Sequence, residues 1–160
     1  MTTKIRAFIA IELDQHVRDA LIQVQNKLRV SDADVKWTAP NDIHLTLKFL
    51  GDIFPSDTDT VSLIISKSVT GISPFIIDIT ELGAFPDILF PKIVWAGVTK
   101  NTNTLIKIAK ELDTDLVKVK IKKNERPFTA HITLGRERSL CGKDRLSAAL
   151  EETNIPPNLS

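Results

Sequence analysis

The sequence has 160 residues, 42% of them hydrophobic and 26% charged, which indicates one globular domain able to bury a core without disulfide or metal staples. The net charge is +1, which argues against a protein that coats nucleic acid by bulk electrostatic attraction. The single cysteine, Cys141, cannot form an internal disulfide or a thiolate metal site, and it favours a reducing, cytoplasmic location. No apolar stretch has the length of a membrane span, and the N-terminal segment lacks the pattern of a signal peptide.

Apolar periodicity predicts strands and helices that alternate along the chain. Asp14 is expected to cap the first helix and Ser56 or Asp57 the second, since short polar side chains favour helix N-termini. A turn at Phe85-Pro86-Asp87 is expected to separate two strands. In chain order the predicted elements are strand 4–12, helix 15–29, strand 35–38, strand 42–50, the second helix, strands 72–82 and 91–99, helix 103–116, strands 117–122 and 128–136, and helix 143–152.

This order of elements contains an internal repeat. Strand, helix, short strand and histidine-bearing strand occur over 4–50 and again over 91–136, at an offset of 87 residues. At that offset His44–Leu47 falls on His131–Leu134, and both segments have the pattern His-x-Thr-Leu. The sequence therefore predicts that residues 1–160 form a single domain of two similar half-domains that face each other.

The repeated motif places polar side chains on one face of each strand. Because alternate residues of a strand share a face, His44 lies beside Thr46 and His131 beside Thr133. If the half-domains face each other, two imidazoles and two hydroxyls meet in one cleft. Histidine can act as acid or base near neutral pH, and the threonines can hydrogen-bond phosphate oxygens. The pattern thus predicts opening of a ring-strained cyclic phosphodiester, without a metal or another cofactor.

Both motifs also resemble a known family. His44–Gly51 and His131–Arg136 are similar to the paired signatures of the two-histidine phosphoesterase superfamily, and within it to the RNA 2′,3′-cyclic phosphodiesterase, or LigT-like 2′-5′ RNA ligase, family. Further similar segments are Arg6–Ala10, Leu82–Pro86, Val94–Val98 and Arg126–Thr129. The resemblance implies a bilobal α+β fold, in which two antiparallel sheets surround a central cleft with the helices outside.

The same resemblance implies an activity and roles for four side chains. The expected reaction hydrolyses a terminal 2′,3′-cyclic phosphate to a 2′-phosphate and leaves a 3′-hydroxyl. His44 would be the acid that protonates the ribose 3′-oxygen, and His131 the base that activates water. Thr46 and Thr133 would hold the phosphate. The expected partners are RNA 3′ ends or nucleotides that carry this group, and the expected state is a monomer.

Residues around the motifs allow more than one interpretation. Arg136 and Arg126 are candidate phosphate ligands, because guanidinium binds phosphate bidentately, although either can instead be an exposed arginine. By alternation Lys48 shares the face of His44 and Phe49 lies on the core face. Trp37 can stack a base, but core packing is the better interpretation of a lone tryptophan near a strand.

Other functions remain open at this point. The same site could join RNA ends through a 2′-5′ bond, although water is the more abundant nucleophile. A non-catalytic module that binds RNA ends would not require two titratable histidines. A metal protein is disfavoured, because neither motif contains an acidic residue. The lysines of 117–123 predict an amphipathic strand with a solvated face or, less favoured, an RNA-tracking surface, and His16 is expected to be a surface residue.

Overall fold

A computed structural model describes residues 2–160. Over this range the chain forms a mixed α+β fold with two antiparallel sheets and four α-helices, as the sequence predicts. No helix in the described range combines the length and the apolar character needed to cross a membrane. The chain divides into two compact units. The first unit contains residues 2–11, 46–75 and 101–130. The second unit contains residues 12–45, 76–100 and 131–160.

The first unit is built from a strand pair and two helices. Strand β1 (Ile5–Glu12) pairs with β3 (His44–Ile53), and each strand extends into the second unit at one end. Helix α2 (Thr58–Ser68) packs against helix α3 (Thr102–Leu116). The periodicity correctly predicts which positions of α3 are buried, namely Leu105, Ile108, Ala109, Leu112 and Leu116.

The second unit contains a four-stranded antiparallel sheet in the order β2-β6-β5-β4. Its strands are β2 (Val35–Trp37), β4 (Ile79–Asp87), β5 (Phe90–Val98) and β6 (His131–Glu137). Two helices, α1 (Gln15–Arg29) and α4 (Lys143–Glu152), complete this unit and have the predicted bounds. Asp14 occupies the N-cap position of α1, as expected, but its side chain makes no capping hydrogen bond.

Two predictions around β4 are wrong. The segment Phe85-Pro86-Asp87 is not a turn but the end of β4, and the connection to β5 lies at Ile88 and Leu89. A register shift between Phe85 and Pro86 lets the strand continue past a residue that has no N–H to donate. The predicted strand 72–82 begins only at Ile79, and its N-terminal part contains Pro74, which cannot donate a ladder hydrogen bond.

The predicted strand at 117–122 is also wrong. A 3₁₀-helix occupies Val117–Val119, and Lys120 adopts a left-handed conformation with a φ of 65°. The N–H of Ile121 bonds back to the carbonyl of Leu116 instead of pairing with a strand. Alternation alone does not create a strand, since a strand needs a partner for its backbone groups. The next strand, β6, starts at His131 rather than at residue 128.

The predicted duplication remains a prediction. The two compact units have other bounds than the predicted half-domains, which span 4–50 and 91–136. The histidine strands nevertheless have a common feature. Over the seven residues from His44 and from His131, the order of buried, half-buried and exposed side chains is the same. Each strand has two successive buried residues after its threonine, which departs from the simple alternation of a strand.

Candidate active site

Strand β6 carries three of the predicted site residues on one face. His131, Thr133 and Arg136 each lie opposite an odd-numbered residue of the neighbouring strand β5. Alternate residues of β5 share a face, and directly opposite residues of an antiparallel pair lie on the same side. The imidazole, the hydroxyl and the guanidinium therefore project from the same side of the sheet.

A β-bulge is the reason that Arg136 lies on this face. The register of β5 and β6 shifts between Val94 and Trp95, so that Leu134 is an extra residue in β6. Without the bulge, strict alternation would place Arg136 on the face opposite to His131. Leu134 and the residue after it are both buried, as expected where a strand changes its alternation.

Gln25 of α1 holds the bulge in place. Its side chain is only 2% exposed, and its amide nitrogen donates hydrogen bonds to the carbonyl oxygens of Leu134, at 2.8 Å, and Thr38, at 2.9 Å. The N–H of Thr38 donates to the same Leu134 oxygen at 2.9 Å. Sequence reasoning missed Gln25, although a polar residue next to the apolar face of α1 was a usable signal, since buried amides need partners.

Gly135 allows β2 to approach the bulge. A Cβ atom at this position would lie 2.7 Å from Cγ1 of Val35 and 2.9 Å from Cε3 of Trp37. The indole of Trp37 therefore covers the Gly135 backbone, and the Arg29 guanidinium lies 5.5 Å from the centre of its ring. These contacts support core packing rather than base stacking as the role of Trp37.

His131 has an aromatic neighbour. The rings of Phe85 and His131 are 5.1 Å apart and perpendicular, and Phe85 lies 5.2 Å from the ring of Trp95. The indole of Trp95 covers Gly83, where a Cβ would come within 2.5 Å of the ring. Edge-to-face pairs have a preferred geometry because the ring edge is positive and the ring face negative. The pair therefore restricts the orientation of the imidazole.

His44 begins β3 in a half-buried position, one residue after a 3₁₀-helix at Pro40–Asp42. Burial lowers its pKa, because the charged imidazolium is poorly solvated there. The negative charges of Asp42 and Glu12 raise the pKa, but the net shift is below the ordinary value of 6.5. The same unit contains His44, His131, Thr133 and Arg136. The environment of His44 therefore favours the neutral ring in the unliganded protein.

Lys48 does not share the face of His44, so that prediction is wrong. Its side chain is 2% exposed, and its ammonium donates to Asp113 Oδ1 at 2.6 Å, Lys122 O at 2.7 Å and Asn124 Oδ1 at 2.8 Å. Partial burial raises the pKa of Asp113, but the hydrogen bonds from Lys48 and the N–H of Asn124 lower it by more. Lys48 is a buried anchor for the segment after α3.

Phe49 is not a core residue, and that prediction is wrong as well. Its side chain is 65% exposed, and its ring lies 6.3 Å from that of the exposed Phe8. The two successive buried residues Leu47 and Lys48 reverse the alternation of β3 and return Phe49 to the side of Thr46. An exposed aromatic ring at this position is a surface on which a base can stack.

The remaining candidate residues belong to elements other than β6. Arg126 is exposed in the irregular segment before β6 and belongs to the first unit, as Thr46 does. His16 is exposed, as predicted, and its Nε2 lies 2.9 Å from the backbone oxygen of Ser160. The described site is therefore best defined on β6.

Comparisons with known proteins identify related chains. A family model for LigT-like phosphoesterases matches residues 11–95. An RNA 2′,3′-cyclic phosphodiesterase of Methanothermobacter thermautotrophicus is 34% identical over 149 residues, which are 93% of this chain and 80% of the relative. An RNA 2′,3′-cyclic phosphodiesterase of Aquifex aeolicus is 31% identical over 84% of this chain and 72% of its own. The crystal structure of Escherichia coli LigT complexed with NADP+ superposes with a TM-score of 0.74 at 26% identity, over 99% of this chain and 82% of that one.

Proposed function

Because this chain belongs to the LigT-like phosphoesterase family, we propose that it hydrolyses 2′,3′-cyclic phosphate at RNA ends or on nucleotides. The products are a 2′-phosphate and a free 3′-hydroxyl. The structural observation that supports this proposal most strongly is the common face of His131, Thr133 and Arg136. That face combines a titratable ring, a hydroxyl donor and a bidentate cation, the groups that a phosphate undergoing nucleophilic attack requires.

The reaction uses one histidine on each side of the phosphorus. The neutral imidazole of His131 accepts a proton from water as the water oxygen bonds to phosphorus. The bond from phosphorus to the 3′-oxygen breaks in line with this attack, and the imidazolium of His44, which the negative charge of the bound phosphate favours, donates a proton to the departing oxygen. Each turnover leaves His131 protonated and His44 neutral, and proton exchange with solvent restores both. Ring strain in the cyclic ester lowers the barrier further.

The other site residues bind the phosphate. Thr46 and Thr133 donate hydrogen bonds to the non-bridging oxygens, and the Arg136 guanidinium neutralises their charge. Arg126 is a secondary phosphate ligand in this proposal, supported only by its exposure and charge.

The biological setting follows from the same chemistry. The proposed partners are RNA 3′ ends that carry a cyclic phosphate, a group that RNA cleavage by 2′-hydroxyl attack produces. With Cys141 as its single cysteine, the protein suits a reducing compartment, so we place it in the cytoplasm. The site residues named above all come from one chain, and a monomer is the proposed working form.

The product of a defined substrate tests the proposed function. Cytidine 2′,3′-cyclic phosphate is incubated with the protein in excess chelator, and the products are identified by phosphorus NMR. The expected product is the 2′-phosphate alone, formed at the same rate with and without chelator. A 3′-phosphate, or a rate that depends on added metal, would overturn the proposed mechanism.

A further inference from the structure

Strand β2 places a second cation beside Arg136. In the register of β2 and β6, Lys36 lies directly opposite Arg136. Directly opposite residues of an antiparallel pair lie on the same side of the sheet, with their Cβ atoms about 5 Å apart. The ammonium of Lys36 therefore belongs to the face that carries His131 and Thr133. Lys36 is exposed, so the approach of a large ligand is open.

These two cations, Lys36 and Arg136, have no carboxylate within salt-bridge distance in the described part of the chain. Like charges directly opposite each other on neighbouring strands destabilise a sheet. A bound anion removes that repulsion. In the proposed function, the terminal phosphate of the substrate already binds to Arg136. Lys36 can therefore bind a second negative charge of the substrate, next to the terminal phosphate.

We propose that Lys36 binds the phosphodiester that precedes the terminal nucleotide of an RNA, while Arg136 binds the terminal phosphate. This inference rests on the proposed function and specifies its substrate class. An RNA end has two adjacent phosphates, whereas a nucleoside cyclic phosphate has only one. The enzyme therefore prefers an oligonucleotide end to a mononucleotide, and Lys36 is a specificity-determining residue rather than a participant in bond breaking.

Two substrates and two variants test the inference. The substrates are a nucleoside 2′,3′-cyclic phosphate and a dinucleotide that ends in the same group. The variants are Lys36→Gln and, as a matched control, Lys92→Gln. Lys92 is an exposed lysine of β5 that lies at the register shift opposite Phe85 and Pro86, outside the run Ile93–Gly97 that pairs with β6. For each combination of enzyme and substrate, the wild type included, kcat/KM is measured at several salt concentrations.

The wild type should favour the dinucleotide. Lys36→Gln should lower kcat/KM for the dinucleotide about threefold to tenfold, the effect of one charge-assisted contact, and leave the nucleoside substrate unchanged. The dependence of log(kcat/KM) on log salt should become shallower by about 0.7 for the dinucleotide, as expected for one lost phosphate contact on a single strand. Lys92→Gln should change neither substrate.

A dinucleotide with an uncharged methylphosphonate linkage provides the complementary measurement. On this substrate the wild type should have the kcat/KM that Lys36→Gln has on the natural dinucleotide. The kcat/KM of Lys36→Gln should not fall further when the linkage is uncharged. Equal losses on both substrates in Lys36→Gln, or no dinucleotide preference in the wild type, would overturn the inference while the proposed function stands. A wild type that opens neither substrate would overturn the proposed function and this inference with it.

Discussion

Replacement of Gln25 by leucine tests whether the β6 bulge positions Arg136. The leucine side chain has a similar size but cannot donate to Leu134 O or Thr38 O. The Leu134 oxygen keeps the N–H of Thr38 as a donor, so most of the cost comes from the Thr38 oxygen, which loses its side-chain donor. A buried carbonyl that loses its partner costs about 1–3 kcal/mol. We expect the free energy of unfolding to fall by about 2 kcal/mol, measured by urea denaturation.

The same variant should lose activity through Arg136. A bulge that is less firmly held lets Arg136 leave the face of His131, so kcat/KM for the dinucleotide substrate should fall about tenfold, the effect of one weakened charge-assisted contact. In an Arg136→Ala background, Gln25→Leu should have little further effect on kcat/KM, because the group that it positions is already absent. A purely structural role for Gln25 would not produce this coupling.

Ser147→Ala is the matched control for Gln25→Leu. Ser147 is buried in the same unit, and its hydroxyl donates to the carbonyl of Ile88 at 2.7 Å. Its replacement should reduce stability by about 1 kcal/mol and leave kcat/KM unchanged. Full activity in folded Gln25→Leu, or an equal loss with and without Arg136, would refute the positioning argument.

Three further substitutions address the motif strands. Lys48→Met should lower the free energy of unfolding by about 2–3 kcal/mol near neutral pH, as measured by urea denaturation. This is the cost of breaking a buried ion pair, reduced because the carboxylate partner is partly exposed. An unchanged denaturation midpoint would contradict the role of Lys48 as an anchor. Asp42→Asn removes a charge that raises the pKa of His44. If His44 is the acid, the alkaline limb of the kcat/KM–pH profile should therefore move to lower pH. Movement of the acidic limb instead would make His44 the base. Because the pKa of His44 is already below 6.5 in the folded protein, the unfolded chain binds this proton more readily, and the contribution of His44 to stability should decline as pH falls below 6.5. Phe85→Leu keeps an apolar side chain but removes the edge-to-face contact with His131, so kcat should fall about fivefold, a loss of about 1 kcal/mol. Phe85→Tyr keeps the aromatic contact and should keep the kcat of the wild type. Equal kcat in the two variants would exclude a positioning role for Phe85.

Local patterns predicted much of this fold. Helices α1 and α4 have the predicted bounds, and the apolar face of α3 is buried at every predicted position. These elements are determined by apolar periodicity within their own sequence. The two His-x-Thr-Leu motifs lie on strands, as predicted, because their apolar residues need a core on one side.

The features that sequence reasoning missed depend on partners distant in the chain. The bulge at Leu134 is set by Gln25, 109 residues away, and a one-residue bulge changes the face of every later side chain. Lys48 is buried because Asp113 is available on another element. Phe49 is exposed because Lys48 takes the core position. Alternation counted along one strand contains none of this information.

The central claim is that His44 and His131 act together on one phosphorus atom. The most direct test is the rate of cyclic-phosphate opening by His44→Ala, His131→Ala and the double variant, each shown to be folded by circular dichroism. Each single variant should lose at least about 100-fold in kcat, and the double variant should lose little more than the worse single one, because the two groups work as a unit. A single variant that retained turnover within a few-fold of the wild type would contradict the claim.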